Sequence, residues 1–130
     1  MEPQSSALRV LVVDDEALVR WSIVETLTDL GYSVVEARDG ESALGTLGDA
    51  SKSIDVILLD YDLPDADTFA LLSTIRLVAP ASSVIVMTAY PTPNATQGAL
   101  DLGAHCVMSK PFNLREMAEA VQQAYRVRPR

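Results

Sequence analysis

Val56-Ile57-Leu58-Leu59-Asp60 constrains the fold of this chain more than any other stretch. Two of its four apolar residues are β-branched, and no polar residue interrupts them before the aspartate. A short unbroken apolar run predicts a strand buried on both faces, as in the centre of a parallel sheet. Tyr61-Asp62-Leu63-Pro64-Asp65 follows, a turn-forming segment with a proline and more carboxylates. Asp60 is thereby expected at the carboxyl end of a buried strand, the edge where open α/β sheets collect ligands and chemistry.

The pattern recurs along the chain. A first strand, Leu8 to Val13, stops at Asp14-Asp15-Glu16. Ser33 to Ala37 is a second, Ile54 to Leu59 the central third, and Val84 to Met87 a fourth ending at Thr88-Ala89. Cys106-Val107-Met108 is a fifth, closing at Ser109-Lys110-Pro111. Helices are predicted between them. Val19, Ile23, Leu27 and Leu30 recur near the helical period and give the first helix its buried face, with Gly31 as its stop. Asp15 and Glu16 suit the positive end of that helix. Asp39-Gly40 turns the chain into a helix from about Glu41 to Leu47, ending near Gly48.

Thr68 is the expected cap of a third helix that turns Phe69, Leu72, Ile75 and Leu77 inward before Pro80 breaks it. Pro93 opens a fourth helix, weakened by Thr96 and by Gly98, since glycine inside a helix costs ~1 kcal/mol against alanine. Gly103 ends it. Asn113 and Glu116 start the last helix, with Leu114, Met117, Val121 and Ala124 or Tyr125 on its buried stripe. Five βα units predict an α/β fold: a doubly wound parallel sheet with helices on both faces, joined by right-handed crossovers. At 130 residues the chain is one domain. We place it at residues 8–126, after an extended or disordered lead-in at 1–7 and before a basic tail or linker start at 127–130.

Hydrophobic residues make up 48% and charged residues 22% of the chain, which excludes a disordered polyelectrolyte. The net charge of −8 argues against direct nucleic-acid binding and against an anionic membrane surface. No apolar run approaches the ~20 residues that span a bilayer, and Met1 to Ser6 lacks the basic and apolar segments of a signal peptide. The single cysteine, Cys106, forbids an intrachain disulfide framework and fits a reducing cytoplasm; it reads as a small buried hydrophobe. His105 reads as an ordinary residue leading into the fifth strand. Trp21 lies off the buried stripe of the first helix, as a partner contact or a half-exposed structural aromatic.

Four strand ends deliver chemistry to one edge of the sheet. The first supplies Asp14 and Asp15, the third Asp60, the fourth Thr88, and the fifth Lys110, one of only two lysines in the chain. Three carboxylates at one point repel each other. A hard divalent cation with oxygen ligands relieves that repulsion, and Mg²⁺ suits one or two carboxylates together with a phosphate. Lys110 adds a point charge and Thr88 a hydroxyl donor, and all these parts stabilise a tetrahedral dianion beside Asp60.

Val12-Val13-Asp14-Asp15-Glu16, Leu59-Asp60-Tyr61-Asp62-Leu63-Pro64, Met87-Thr88-Ala89-Tyr90 and Ser109-Lys110-Pro111-Phe112 resemble the signature blocks of the receiver domain of bacterial two-component response regulators. The likeness runs from Leu8 to about Tyr125. It implies a flavodoxin-like sheet in the order 2-1-3-4-5 and a phosphorylation-dependent switch. By the resemblance, Asp60 is the phosphoacceptor, served by a sensor histidine kinase or phosphotransfer domain. Asp15, Asp60 and the Asp62 carbonyl would bind Mg²⁺ or Mn²⁺, with Asp14 acting through water. Lys110 would contact the phosphoryl group, Thr88 would close onto it, and Lys110-Pro111 would be cis. The chain would be no enzyme in the ordinary sense, only assisting its own phosphorylation and dephosphorylation.

The surface of the fourth helix, fifth strand and fifth helix would then change its affinity for an effector, an output domain or a second copy. The Thr88 and Lys110 blocks resemble those of receivers attached to transcriptional activators.

Two positions depart from the family pattern. Thr68 stands where a glycine is common, and Val107 where a switch tyrosine or phenylalanine is common. Tyr90 is the candidate substitute for that aromatic reporter. Asp62, Asp65 and Asp67 otherwise read as solvated loop acids. Two other readings stay open. Asp60-Tyr61-Asp62 also resembles the D-x-D nucleophile motif of haloacid-dehalogenase-type phosphatases, although there the motif comes first in the chain and an acidic pair last. A degenerate receiver used purely for docking is the other, and the intact acidic, threonine and lysine set speaks against it.

Overall fold

Each apolar run picked out above is a strand in the computed structural model, which describes residues 8–49 and 51–129. The strands are β1 (Arg9–Val13), β2 (Ser33–Ala37), β3 (Val56–Asp60), β4 (Ser83–Thr88) and β5 (Cys106–Ser109). They pair in parallel in the order β2-β1-β3-β4-β5. Between and after them run α1 (Ala17–Asp29), α2 (Gly40–Leu47), α3 (Thr68–Val78), α4 (Pro93–Asp101) and α5 (Leu114–Arg126).

The strand pleat splits the core in two. Val10, Val12, Val56, Leu58, Ile85 and Met87 point to one face, where Ile23 and Leu27 of α1 and Met117, Val121 and Ala124 of α5 cover them. Leu11, Val13, Ile57, Leu59, Val84 and Val86 point to the other, beneath Ala43 of α2, Leu72 and Ile75 of α3 and Ala99 of α4. Every residue of β3 and β4 is buried, which explains why their sequences show no alternation. Truncating one of these leucines to alanine costs about 2–5 kcal/mol.

The helix ends follow local chemistry. Asp39 accepts a hydrogen bond from the Ser42 amide at the start of α2, Thr92 from Ala95 in α4, and Asn113 from Arg115 and Glu116 in α5. Gly31 and Gly103 adopt φ of 89° and 100°, the left-handed conformation that lets the chain leave α1 and α4.

Four expectations about helix caps and helix faces are corrected. Asp67, not Thr68, caps α3 by accepting from the Ala70 amide; Thr68 is the first helical residue. Leu77 is 82% exposed, because two residues past Ile75 a side chain has swung about 200° around the helix. Leu30 is exposed because it is the C-cap of α1, where the chain already turns toward Gly31. Leu114 stands at the open first turn of α5, partly exposed.

The expected lead-in at 1–7 and Arg130 lie outside the described residues. Arg128 folds back on the domain, its guanidinium 4.1 Å from the Tyr125 ring centroid and 3.6 Å from Asp55. Cys106 is half-buried rather than buried, and desolvation pushes its thiol up. Among the described residues, no helix is long and apolar enough to cross a membrane.

Candidate functional site

Sheet register builds this site. Val13 pairs with Leu59, so Asp14 and Asp60 leave their strands side by side. Asp60 pairs with Met87, and Thr88 with Ser109, which brings the Thr88 and Lys110 blocks to the same edge. Asp14, Asp15 and Asp60 each offer a carboxylate oxygen, and the three oxygens lie within 4.8 Å of one another. Asp14 and Asp60 are buried, while Asp15 faces solvent. The Lys110 ammonium is 2.8 Å from Asp14 Oδ2, 3.1 Å from Glu16 Oε1 and 3.3 Å from Asp60 Oδ1. The Lys110-Pro111 peptide is cis.

Asp62, Thr88, Tyr90 and Val107 complete the set of expected residues. Asp62 is exposed, and its amide donates to Asp60 Oδ1 at 3.2 Å. Thr88 is buried, and its hydroxyl accepts from the Tyr90 amide at 3.1 Å while the Tyr90 ring projects into solvent. Val107 packs on the core face that carries α2, α3 and α4.

Electrostatics follow from this crowding. Burial pushes the Asp60 carboxyl up to about 6, and the Asp14 charge adds to the effect. The Asp62 amide and Lys110 oppose it. Burial alone would lower the Lys110 pKa, but its pairing with Asp14, then Asp60 and Glu16, holds the ammonium well above its usual range. One lysine thus pairs with three carboxylates, those of Asp14, Glu16 and Asp60. The donor set is all oxygen, compact and net negative, which suits a hard divalent cation.

Several supporting residues were not identified from sequence. Arg20 of α1 donates to the Asp14 carbonyl at 2.6 Å and pairs with Glu36 of β2 at 2.9 Å. Glu16, expected only as a favourable helix start, also grips Lys110. Asp65 and Asp67 are not simply solvated. Asp67 caps α3, and Asp65 accepts from the Gly40 and Glu41 amides of α2 at 2.9 and 3.1 Å. Thr68 donates its hydroxyl to the Tyr61 carbonyl. An aspartate three residues before the amide it caps is a local signal that Asp67 carried; the Asp65 and Arg20 contacts join segments whose approach only the folded chain reveals.

Residues 10–122 match the family model of the response regulator receiver domain. The transcriptional regulator NtrC of Salmonella typhimurium is 36% identical over 88% of this chain, which spans 24% of that protein. The sporulation initiation phosphotransferase F of Bacillus subtilis is 30% identical over 88% of this chain and 91% of its own length. Among solved structures, the CheY-like receiver domain protein of Methanospirillum hungatei superimposes with a TM-score of 0.87, at 26% identity, covering 93% of this chain and 95% of its own. Sheet order, strand-end chemistry and these likenesses agree over nearly the whole length, and the chain belongs to the response regulator receiver domain family.

Proposed function

We propose that Asp60 accepts a phosphoryl group from a histidine kinase or phosphotransfer domain, and that the acylphosphate formed switches a partner surface. The reading is carried by the convergence of the Asp14, Asp15 and Asp60 oxygens within 4.8 Å beside the Lys110 ammonium. Asp15 and Asp60, with the Asp62 carbonyl, would hold Mg²⁺ or Mn²⁺, with Asp14 acting through water. The cation supplies charge compensation for the carboxylates and the incoming phosphoryl group. The Asp60 oxygen bonds to phosphorus as the P–N bond of the donor phosphohistidine breaks. Lys110 moves its charge from Asp14 and Glu16 toward the new phosphoryl oxygens, and Thr88 turns its hydroxyl to them.

Turning Thr88 releases the Tyr90 amide, so Tyr90 reports the switch in place of the aromatic absent at Val107. The responding surface is α4, β5 and α5, which changes its affinity for an effector or a second copy. The phosphodonor docks beside the site, over a depression of about 480 Å³ lined by Glu16, Val19, Ile23, Lys110, Phe112 and Leu114. Trp21 and Leu18 stand exposed on the adjoining helix α1. The functional unit is residues 8–126, working in the cytoplasm. Since the chain spans about a quarter of the NtrC relative, an output domain is part of this proposal.

Incubation with a small phosphodonor and Mg²⁺, followed by intact mass measurement, tests the reading. A single phosphoryl adduct is expected, lost in Asp60→Asn, without sustained phosphate release from unrelated esters. Sustained ester hydrolysis would point to a phosphatase, and no adduct with any donor to a docking module.

A further inference from the structure

The loop between β3 and α3, residues 61–67, carries the Asp62 carbonyl, and two contacts fasten it. Thr68 is buried, and its hydroxyl closes the base of the loop by donating to the Tyr61 carbonyl. Asp65, at the far side, accepts from the Gly40 and Glu41 amides and so caps a helix 25 residues away in sequence. The fit at that second point is close: a Cβ on Gly40 would sit 3.1 Å from the Ala66 Cβ and 3.4 Å from Asp65 Oδ1. The base bond needs a hydroxyl at position 68, where the family commonly has a glycine that could not supply it.

We propose that Thr68 and Asp65 are positioning residues that fix the 61–67 loop in the shape presenting the Asp62 carbonyl to the cation. The inference rests on the metal reading given above. A backbone carbonyl is a weak ligand on a loose loop, because binding must then order the loop as well as hold the ion. Here the ordering is completed during folding. Thr68 fixes the chain direction immediately after Asp60, and Asp65 stops the loop from swinging away from the acidic cluster. The amide of Asp62 is held to Asp60 Oδ1 from inside the same turn, so the three contacts act on one short segment. The site thereby binds its cation ahead of phosphorylation with little rearrangement.

Calorimetric titration of the full chain with MgCl₂ tests this, comparing wild type with Thr68→Val, Thr68→Ser and Asp65→Ala. Thr68→Val keeps shape and loses the donor; its Mg²⁺ dissociation constant is expected to rise about fivefold, the worth of one net hydrogen bond. Thr68→Ser restores the donor and is expected within about twofold of wild type. Asp65→Ala breaks the second contact and is expected to weaken binding similarly, which keeps the test decisive if the valine variant does not fold. Amide exchange in EDTA supplies a cation-free readout: residues 61–67 exchange faster in Thr68→Val while β3 and β4 stay protected. Wild-type affinity in both Thr68→Val and Asp65→Ala overturns the positioning role alone. Absence of Mg²⁺ binding by wild type overturns the metal reading and this inference with it, and loop exchange unaltered by either variant shows that the straps do not order the loop.

Discussion

Asp60 is held where a carboxylate is uncomfortable. Burial, with the Asp14 charge adding to it, pushes its carboxyl up to about 6, from near 4 in the unfolded chain. The folded chain therefore binds a proton that the unfolded chain has released between those two values. Stability from this group is fully present below about pH 4, falls as pH rises toward 6, and is lost above it. Two pK units correspond to about 3 kcal/mol, an upper figure because the native site relaxes. Asp60→Asn keeps the shape and removes the charge. It is expected to raise the unfolding free energy at pH 7.5 by about 1–3 kcal/mol and to flatten the change between pH 5 and 7.5. Urea denaturation in EDTA at the two pH values measures both. Lys110 is the opposite case. Its desolvation is outweighed by pairing with Asp14, Asp60 and Glu16, so removing it strands a fully buried carboxylate. Lys110→Met is expected to destabilise the same protein by about 3 kcal/mol at pH 7.5.

Helix α4 shows how an element can read as weak yet be tightly specified. Gly98 lies in its interior, where alanine would add ~1 kcal/mol of helix propensity. In the fold, the Phe69 ring of α3 lies directly on that glycine, and a Cβ there would come within 2.6 Å of the ring. Phe69 is itself held edge-on by Tyr61, the residue after Asp60, at 6.1 Å and 85°. A clash of that size costs about 1–3 kcal/mol and exceeds the propensity gain. Gly98→Ala is expected to lose about 1 kcal/mol of stability, and to become stabilising in a Phe69→Leu background. A double-mutant cycle by thermal or urea unfolding reads the sign reversal directly.

What sequence could and could not show divides along the same line. The strands were legible because β1, β3 and β4 are unbroken apolar runs, and four of the five helices announce their starts or stops through Gly31, Asp39, Pro93, Gly103 and Asn113. The edge shared by Asp14, Asp15, Asp60 and Lys110 was legible because each residue closes or follows a strand. Asp67 and Thr68 are adjacent and both able to cap, so only the backbone path separates them. The Arg20, Asp65 and Phe69–Gly98 contacts depend on tertiary approach, which no local pattern encodes. Leu77 departs from expectation for a simpler reason: it is apolar, but its helical phase faces solvent.

At the scale of the whole molecule, the acidic site and the net charge of −8 make two different claims on cations. Any salt screens the diffuse repulsion of an acidic surface, over a Debye length of ~10 Å at 0.1 M. A cation bound by Asp15 and Asp60 acts instead by mass action on the native state alone, adding about 2.7 kcal/mol when Mg²⁺ is at 100 times its dissociation constant. For a domain of this size that corresponds to a rise in melting temperature of roughly 8–13 °C. The two effects separate when MgCl₂ is compared with NaCl at equal ionic strength. Screening predicts the same shift with either salt, whereas site binding predicts a larger one with MgCl₂ that keeps rising with the logarithm of its concentration after the site is filled. The excess is expected to vanish in Asp15→Asn, which leaves the net charge only one unit less negative. An excess that survives Asp15→Asn, or no excess at all, would place the cation elsewhere and leave the acidic edge without its counter-ion.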